Sequence, residues 1–107
     1  MTLYSYRASV VRVVDGDTVE FDIDLGFHLS MRAKMRLAKI DAPEMSTDDG
    51  KTAKAFLATY LGDTPAGVLT SHSLDKYGRI LGDFLPDHSQ HSVSELMVLT
   101  GHAKPYL

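Results

Sequence analysis

Three carboxylates and two guanidinium groups dominate the chemistry this sequence could do. Asp17 stands in a short acidic segment, Asp15-Gly16-Asp17-Thr18. Asp41 and Glu44 flank Ala42 and Pro43 at the end of a run that begins with Arg36. Arg79 closes a third segment, Asp75-Lys76-Tyr77-Gly78-Arg79. Asp17 and Asp41 offer hard oxygen ligands of the kind calcium and magnesium take. Glu44 is left to orient or deprotonate a water. Arg36 and Arg79 are planar forks, each able to grip a phosphate with two hydrogen bonds. Together these groups meet what phosphodiester cleavage requires: an oxygen-ligand cation, a positioned water, and positive charge where the pentacoordinate phosphorus develops.

Taken singly, each segment has a plainer reading. Asp15-Gly16 is a hairpin turn in which glycine takes a positive φ, although such a turn has no need of Asp17. The run from Arg36 to Glu44 is a polar strand end and a turn, stiffened because Pro43 restricts Ala42 to extended backbone. The 75–79 segment is a charged turn. The case for chemistry rests on finding all three in one short chain.

The elements that must hold these residues are legible from periodicity. Arg7 to Val14 reads as a strand, and in the next one Val19, Phe21, Ile23 and Leu25 alternate with Glu20, Asp22 and Asp24. After a loop of Gly26, Phe27 and His28, a long third strand puts Leu29, Met31, Ala33, Met35 and Leu37 on one face and Arg32, Lys34 and Arg36 on the other. Two registers keep the apolar faces together. One sets Asp22 opposite Arg32 and Glu20 opposite Lys34; the other sets Glu20 opposite Arg36. Ala53, Phe56, Leu57, Tyr60 and Leu61 have helical spacing, with Thr47 or Asp48 as N-cap and Gly62 as the stop. Phe56 and Tyr60 read as core. Strands follow over Gly67 to Ser73 and Arg79 to Leu85, and Ser92 with Glu95 forms a capping box for a helix through Leu99, stopped by Gly101. The predicted fold is α+β, a β-barrel with helices: a five-stranded OB-fold-like Greek-key barrel, with one helix between strands three and four and a short C-terminal helix.

Totals set bounds. A chain of 107 residues is one domain, residues 1–107. It has no cysteine, which excludes disulfides, thiolate zinc sites and a cysteine nucleophile. A net charge of −3 argues against gripping a long nucleic-acid backbone, but not against a compact site for one or two phosphates. The first residues lack the basic start and apolar run of an export signal, so a cytoplasmic protein is expected, or a secreted one if a signal has been trimmed. No membrane association is expected, since no apolar stretch approaches the roughly 20 residues that span a bilayer. His88 and His91 sit in a polar loop without cysteine and do not read as a zinc site. No nucleophile-elbow sequence frames a serine. Arg32 and Lys34 share a face with Glu20, Asp22 and Asp24, and read as paired surface charges rather than a phosphate track.

The three segments resemble the staphylococcal nuclease family in order and approximate spacing, over about Val10 to Lys104. A weaker anchor is Gly101-His102-Ala103-Lys104. The resemblance implies a calcium-dependent nuclease acting on DNA and RNA with little sequence preference and leaving 3′-phosphate ends. By the same resemblance Asp17 and Asp41 would bind one Ca2+ through side chains, or another hard divalent cation, and Ala42 through its backbone carbonyl. Glu44 would act on the attacking water, and Arg36 and Arg79 would clamp the scissile phosphate. Lys76 and Tyr77 would line the substrate site, with Tyr106 substituting for a nucleotide-contacting tyrosine. The best-known members continue into a further helix beyond the point matching Leu107. The expectation is therefore a minimal version of the fold, a monomer or weakly self-associating. The alternative is a non-catalytic OB-type module that binds single strands through a charged groove and aromatic stacking. Such a binder has no use for three carboxylates beside its phosphates.

Overall fold

The computed structural model describes residues 4–62, 66–74 and 76–106. Asp75, first residue of the 75–79 segment, and Leu107 lie outside the described residues. In chain order the elements are β1 (Tyr4–Asp15), β2 (Thr18–Gly26), β3 (Leu29–Leu37), β4 (Ile40–Asp41), α1 (Asp48–Leu61), β5 (Ala66–Leu74), β6 (Ile80–Pro86), α2 (Val93–Leu99) and β7 (Lys104–Pro105). Five strands close a barrel in the order β1-β2-β3-β6-β5, and β4 and β7 form a separate two-stranded ribbon. The α+β barrel with a helix between its third and fourth strands is thus observed. No helix among the described residues is long and apolar enough to cross a membrane.

Of the four alternating apolar residues of β2, three do what their period requires, and Leu25, near the strand's end, is exposed. Val19, Phe21 and Ile23 are buried, and Phe21 meets Phe84 of β6 with ring centroids 4.7 Å apart. Met35 and Leu37 of β3, Leu69 of β5 and Leu57 of α1 complete the same core. The register sets Asp22 opposite Arg32 and Glu20 opposite Lys34, the first of the two expected pairings. Arg32 donates to both oxygens of Asp22, at 2.8 and 3.1 Å, while the Glu20 carboxylate turns to Arg12 at 2.9 Å. These hydrogen bonds hold the Asp22 carboxyl below the usual carboxylate range.

Two expectations need correcting, and the shared apolar face of β3 has a limit. The apolar face of β3 is not buried throughout, because β3 meets β6 only over Met35, Arg36 and Leu37. Its outer half runs past the barrel, leaving Leu29 and Met31 exposed. The β2–β3 loop is also shorter than read: Gly26 pairs with Leu29, and Phe27 and His28 turn the chain at φ 55° and 64°. Left-handed backbone at two successive residues matches the twist of a hairpin, at a strain cost that non-glycine residues bear. Finally, Phe56 and Tyr60 are half-buried at the edge of the core rather than within it.

Both helices are capped as their sequences direct. The Thr47 hydroxyl accepts from Gly50 N–H at 3.0 Å, and Gly62, at φ 73°, donates back to Ala58. Ser92 accepts from Glu95 N–H at 3.3 Å, but the Glu95 carboxylate pairs with His91 at 2.9 Å instead of closing the capping box.

Candidate active site

The site assembles where β1 turns into β2, where β3 runs into β4, and where β6 begins. The turn at residues 15–18 brings Asp17 forward, but not by the expected use of glycine. Gly16 is absent from the positive-φ glycines, which are Gly26, Gly62, Gly78 and Gly101. Its role is close approach: a Cβ there would lie 2.8 Å from the Ala42 Cβ and 2.9 Å from the Ala53 Cβ. The missing side chain lets the turn press against both α1 and the 40–44 loop. Asp15 Oδ1 accepts from the Asp17 N–H at 3.0 Å and braces the turn.

Asp17 is consequently tied to the 40–44 loop. Its Oδ2 accepts from the Ala42 N–H at 3.1 Å and lies 3.4 Å from Arg36 Nη2. The same Nη2 lies 3.7 Å from Asp41 Oδ1, so one guanidinium faces both carboxylates. Arg36 Nη1 donates to the Leu37 carbonyl at 2.7 Å, which fixes the plane of the fork. The Asp17 and Arg36 side chains are 14% and 19% exposed, whereas that of Asp41 is 64% exposed, so the pair sits in the wall of the site and Asp41 at its mouth.

The charge of Asp17 is costly where it stands. Burial, aided by the neighbouring Asp15 carboxyl, pushes its pKa up to about 6, against the opposing pull of the Ala42 N–H and Arg36. A folded pKa above the unfolded 3.8 contributes stability that is fully present below 3.8 and lost as pH rises through about 6. In chelator, Asp17→Asn therefore raises unfolding stability well above pH 6. The expected gain is about 1–3 kcal/mol, the size of such a shift, in which the opposing attraction to Arg36 is already counted. The gain shrinks toward acid pH. Denaturant unfolding of both proteins across that range checks it, and equal stability would show that the buried charge is compensated.

Glu44 is held by its backbone. Its carbonyl accepts from Thr47 N–H at 3.0 Å and from Thr47 Oγ1 at 2.6 Å. Gly50 lets α1 close over this loop, because a Cβ there would lie 1.9 Å from the same carbonyl oxygen. The Glu44 side chain is exposed. Among the described residues no three His, Cys, Asp or Glu side chains gather as a metal-binding group. The oxygen donors brought together are Asp17 and Asp41, with the Ala42 peptide held against Asp17. That donor set suits a hard cation that completes its shell with water.

Parallel pairing of β3 with β6 sets Met35 beside Ile80 and Arg36 beside Leu81, so Arg79, the residue just before β6, precedes Arg36's partner by two residues. Both arginines line one cleft with Lys76, Tyr77 and Tyr106. The Tyr77 and Tyr106 rings are exposed, with Lys76 Nζ 5.2 Å and Arg79 Cζ 5.6 Å from the Tyr77 ring centre. Tyr106 arrives there through the β4–β7 ribbon, which pairs Ile40 with Pro105 and Asp41 with Lys104 and adds a 2.7 Å bond from Tyr106 N–H to the Lys39 carbonyl. Lys39, at φ 66°, also lines the cleft. Sequence reasoning gave it no role, and nothing but its place between Arg36 and Asp41 could have signalled one.

Residues 34–107 match the model of the family described as Staphylococcal nuclease homologue. The chain is similar to an uncharacterized endonuclease of Escherichia coli, 36% identical over 98 residues, covering 91% of this chain and 59% of the relative. It is similar also to a micrococcal nuclease of Shigella flexneri, 36% identical over 77 residues, covering 72% of this chain and 41% of that protein. A third likeness is to endonuclease YhcR of Bacillus subtilis, 33% identical over 114 residues, covering 94% of this chain and 9% of the relative. The chain thus spans well under two-thirds of the length of these relatives.

Proposed function

The chain belongs to the staphylococcal nuclease homologue family, and from that premise we propose that it is a calcium-dependent phosphodiesterase cutting DNA and RNA with little sequence preference. The observation that carries the reading is Arg36, whose Nη2 faces Asp17 and Asp41 while the residue shares a cleft with Arg79. Two carboxylates against the Arg36 guanidinium set a local balance that subtracts from the positive charge Lys39, Lys76 and Arg79 lend the cleft. A binder gains nothing from that balance.

Asp17, Asp41 and the Ala42 carbonyl would hold the calcium ion, which when bound offsets their charge and polarises the phosphate. Arg36 and Arg79 grip the non-bridging phosphate oxygens, where negative charge grows as water adds to phosphorus. Glu44 holds that water in line or takes its proton. Arg79 can also support the departing oxygen. Tyr77 and Tyr106 offer exposed rings, which read a base by its face and therefore tolerate any sequence. A phosphate reaching this cleft must leave the duplex, so single-stranded or melted substrate is preferred.

Loss of the 5′-oxygen from phosphorus leaves a 3′-phosphate and a 5′-hydroxyl. Products of an oligonucleotide that already carries a 5′-phosphate should accept phosphate from polynucleotide kinase without prior dephosphorylation, whereas the uncut strand should not. New ends carrying 5′-phosphate would mean that the opposite ester bond breaks, and would reverse the roles given to the two sides of the cleft.

A further inference from the structure

We propose that a second cleft, on the other flank of Asp41, binds the nucleoside on the far side of the scissile phosphate, with His102 as its stacking platform. The proposal rests on the nuclease reading above. Asp41 and Ala42 line this cleft together with Asp49, Thr52, His102 and Lys104, and its volume is about 560 Å³. Neither Arg36 nor Arg79 lines it, while both line the phosphate cleft. Asp41 therefore borders one space by its pairing with Arg36 and the other directly. A strand held with a phosphate at Arg36 and one nucleoside beside Tyr77 and Tyr106 has its next nucleoside to accommodate.

The second cleft suits a nucleoside better than a second phosphate. Asp41 and Asp49 together outweigh Lys104 against an anion, the Asp49 carboxylate can accept from the exocyclic amino groups of bases, and Thr52 can reach a sugar hydroxyl or ring oxygen. The imidazole of His102 is already oriented. One face lies on the Phe56 ring, centroids 4.0 Å apart and planes within 11°. The Thr100 hydroxyl donates to the Leu96 carbonyl at 2.9 Å, which leaves its oxygen to accept from His102 Nδ1 at 2.8 Å. The ring is half-buried and lines the cleft. A flat ring fixed from behind loses little freedom when a base stacks on it, which favours binding.

The test uses the full chain carrying Glu44→Gln, in calcium, titrated with a single-stranded tetranucleotide bearing 2-aminopurine at one position at a time. Two neighbouring positions should be quenched on binding. Adding His102→Leu should abolish quenching at one of them and raise Kd by about tenfold, the scale of one base–aromatic stack. His102→Phe should keep both effects, and Tyr106→Leu should affect the other position. His102→Gln, which retains a polar partner for Thr100, replaces the Leu variant if circular dichroism shows that Leu disturbs the fold. Quenching and Kd indifferent to loss of the ring in a folded protein would overturn the subsite. Wild-type cutting measured alongside separates the two readings: cutting with an indifferent fluorescence profile removes only the subsite, whereas no cutting in calcium removes the nuclease assignment beneath it.

Discussion

Arg36→Lys lowers the rate of strand cleavage by about 10³-fold, the scale on which phosphate-clamping arginines act. Lysine keeps a positive charge near Asp17, so the buried carboxylate is not left unopposed and the unfolding transition should stay close to that of the wild type. What lysine loses is the fork. Arg36 binds the Leu37 carbonyl with Nη1 while Nη2 faces Asp17 and Asp41, and a single ammonium cannot do both at fixed angles. Arg79→Lys should lose a similar factor, because both residues line one cleft. The double variant should lose less than the product of the two factors, since both groups act on one phosphate. Steady-state kinetics on a labelled single strand give all three numbers. Strictly multiplicative losses would mean that the two arginines serve different steps.

Glu44→Gln lowers kcat at least about a hundredfold with little change in KM, as expected when a group acts on the attacking water and not on the bound strand. The substitution is nearly isosteric and leaves the loop intact, because the loop is held through the Glu44 carbonyl and not its side chain. Glu44→Asp provides a second check. It retains the charge but withdraws it by one methylene from a backbone that Pro43 and the Thr47 cap keep from following. A comparable loss in both variants ties the effect to the position of the carboxylate. Full activity in either would remove Glu44 from the chemistry.

Much of the fold was legible because its signals are local. The alternation through Val19, Phe21 and Ile23, the Thr47 and Ser92 caps and the helical spacing of Ala53, Leu57 and Leu61 each depend on neighbours within a few residues. Where the structure departs, a distant contact decides. Gly16 sits in a turn that reads as a positive-φ position, yet what requires glycine there is Ala42 and Ala53, brought close only by the folded chain. Leu29 and Met31 alternate as cleanly as Met35 and Leu37, but alternation reports a shared face and not where the barrel ends. The ribbon of Ile40–Asp41 with Lys104–Pro105 is too short to show any period. It nevertheless decides where Tyr106 lies. The five residues with chemical roles are marked by their type and by the order of their segments along the chain. That Arg36 faces Asp17 and Asp41 together is geometry, supplied by the turn at Gly16 and by the end of β3.

The most direct test of the central assignment is cleavage of end-labelled single-stranded DNA by the wild-type chain in calcium, repeated with chelator and again after calcium is restored. The expected result is cutting in calcium that chelator abolishes and added calcium recovers. A folded protein that binds the strand in saturating calcium without cutting it would contradict the assignment and leave a single-strand binding module in its place.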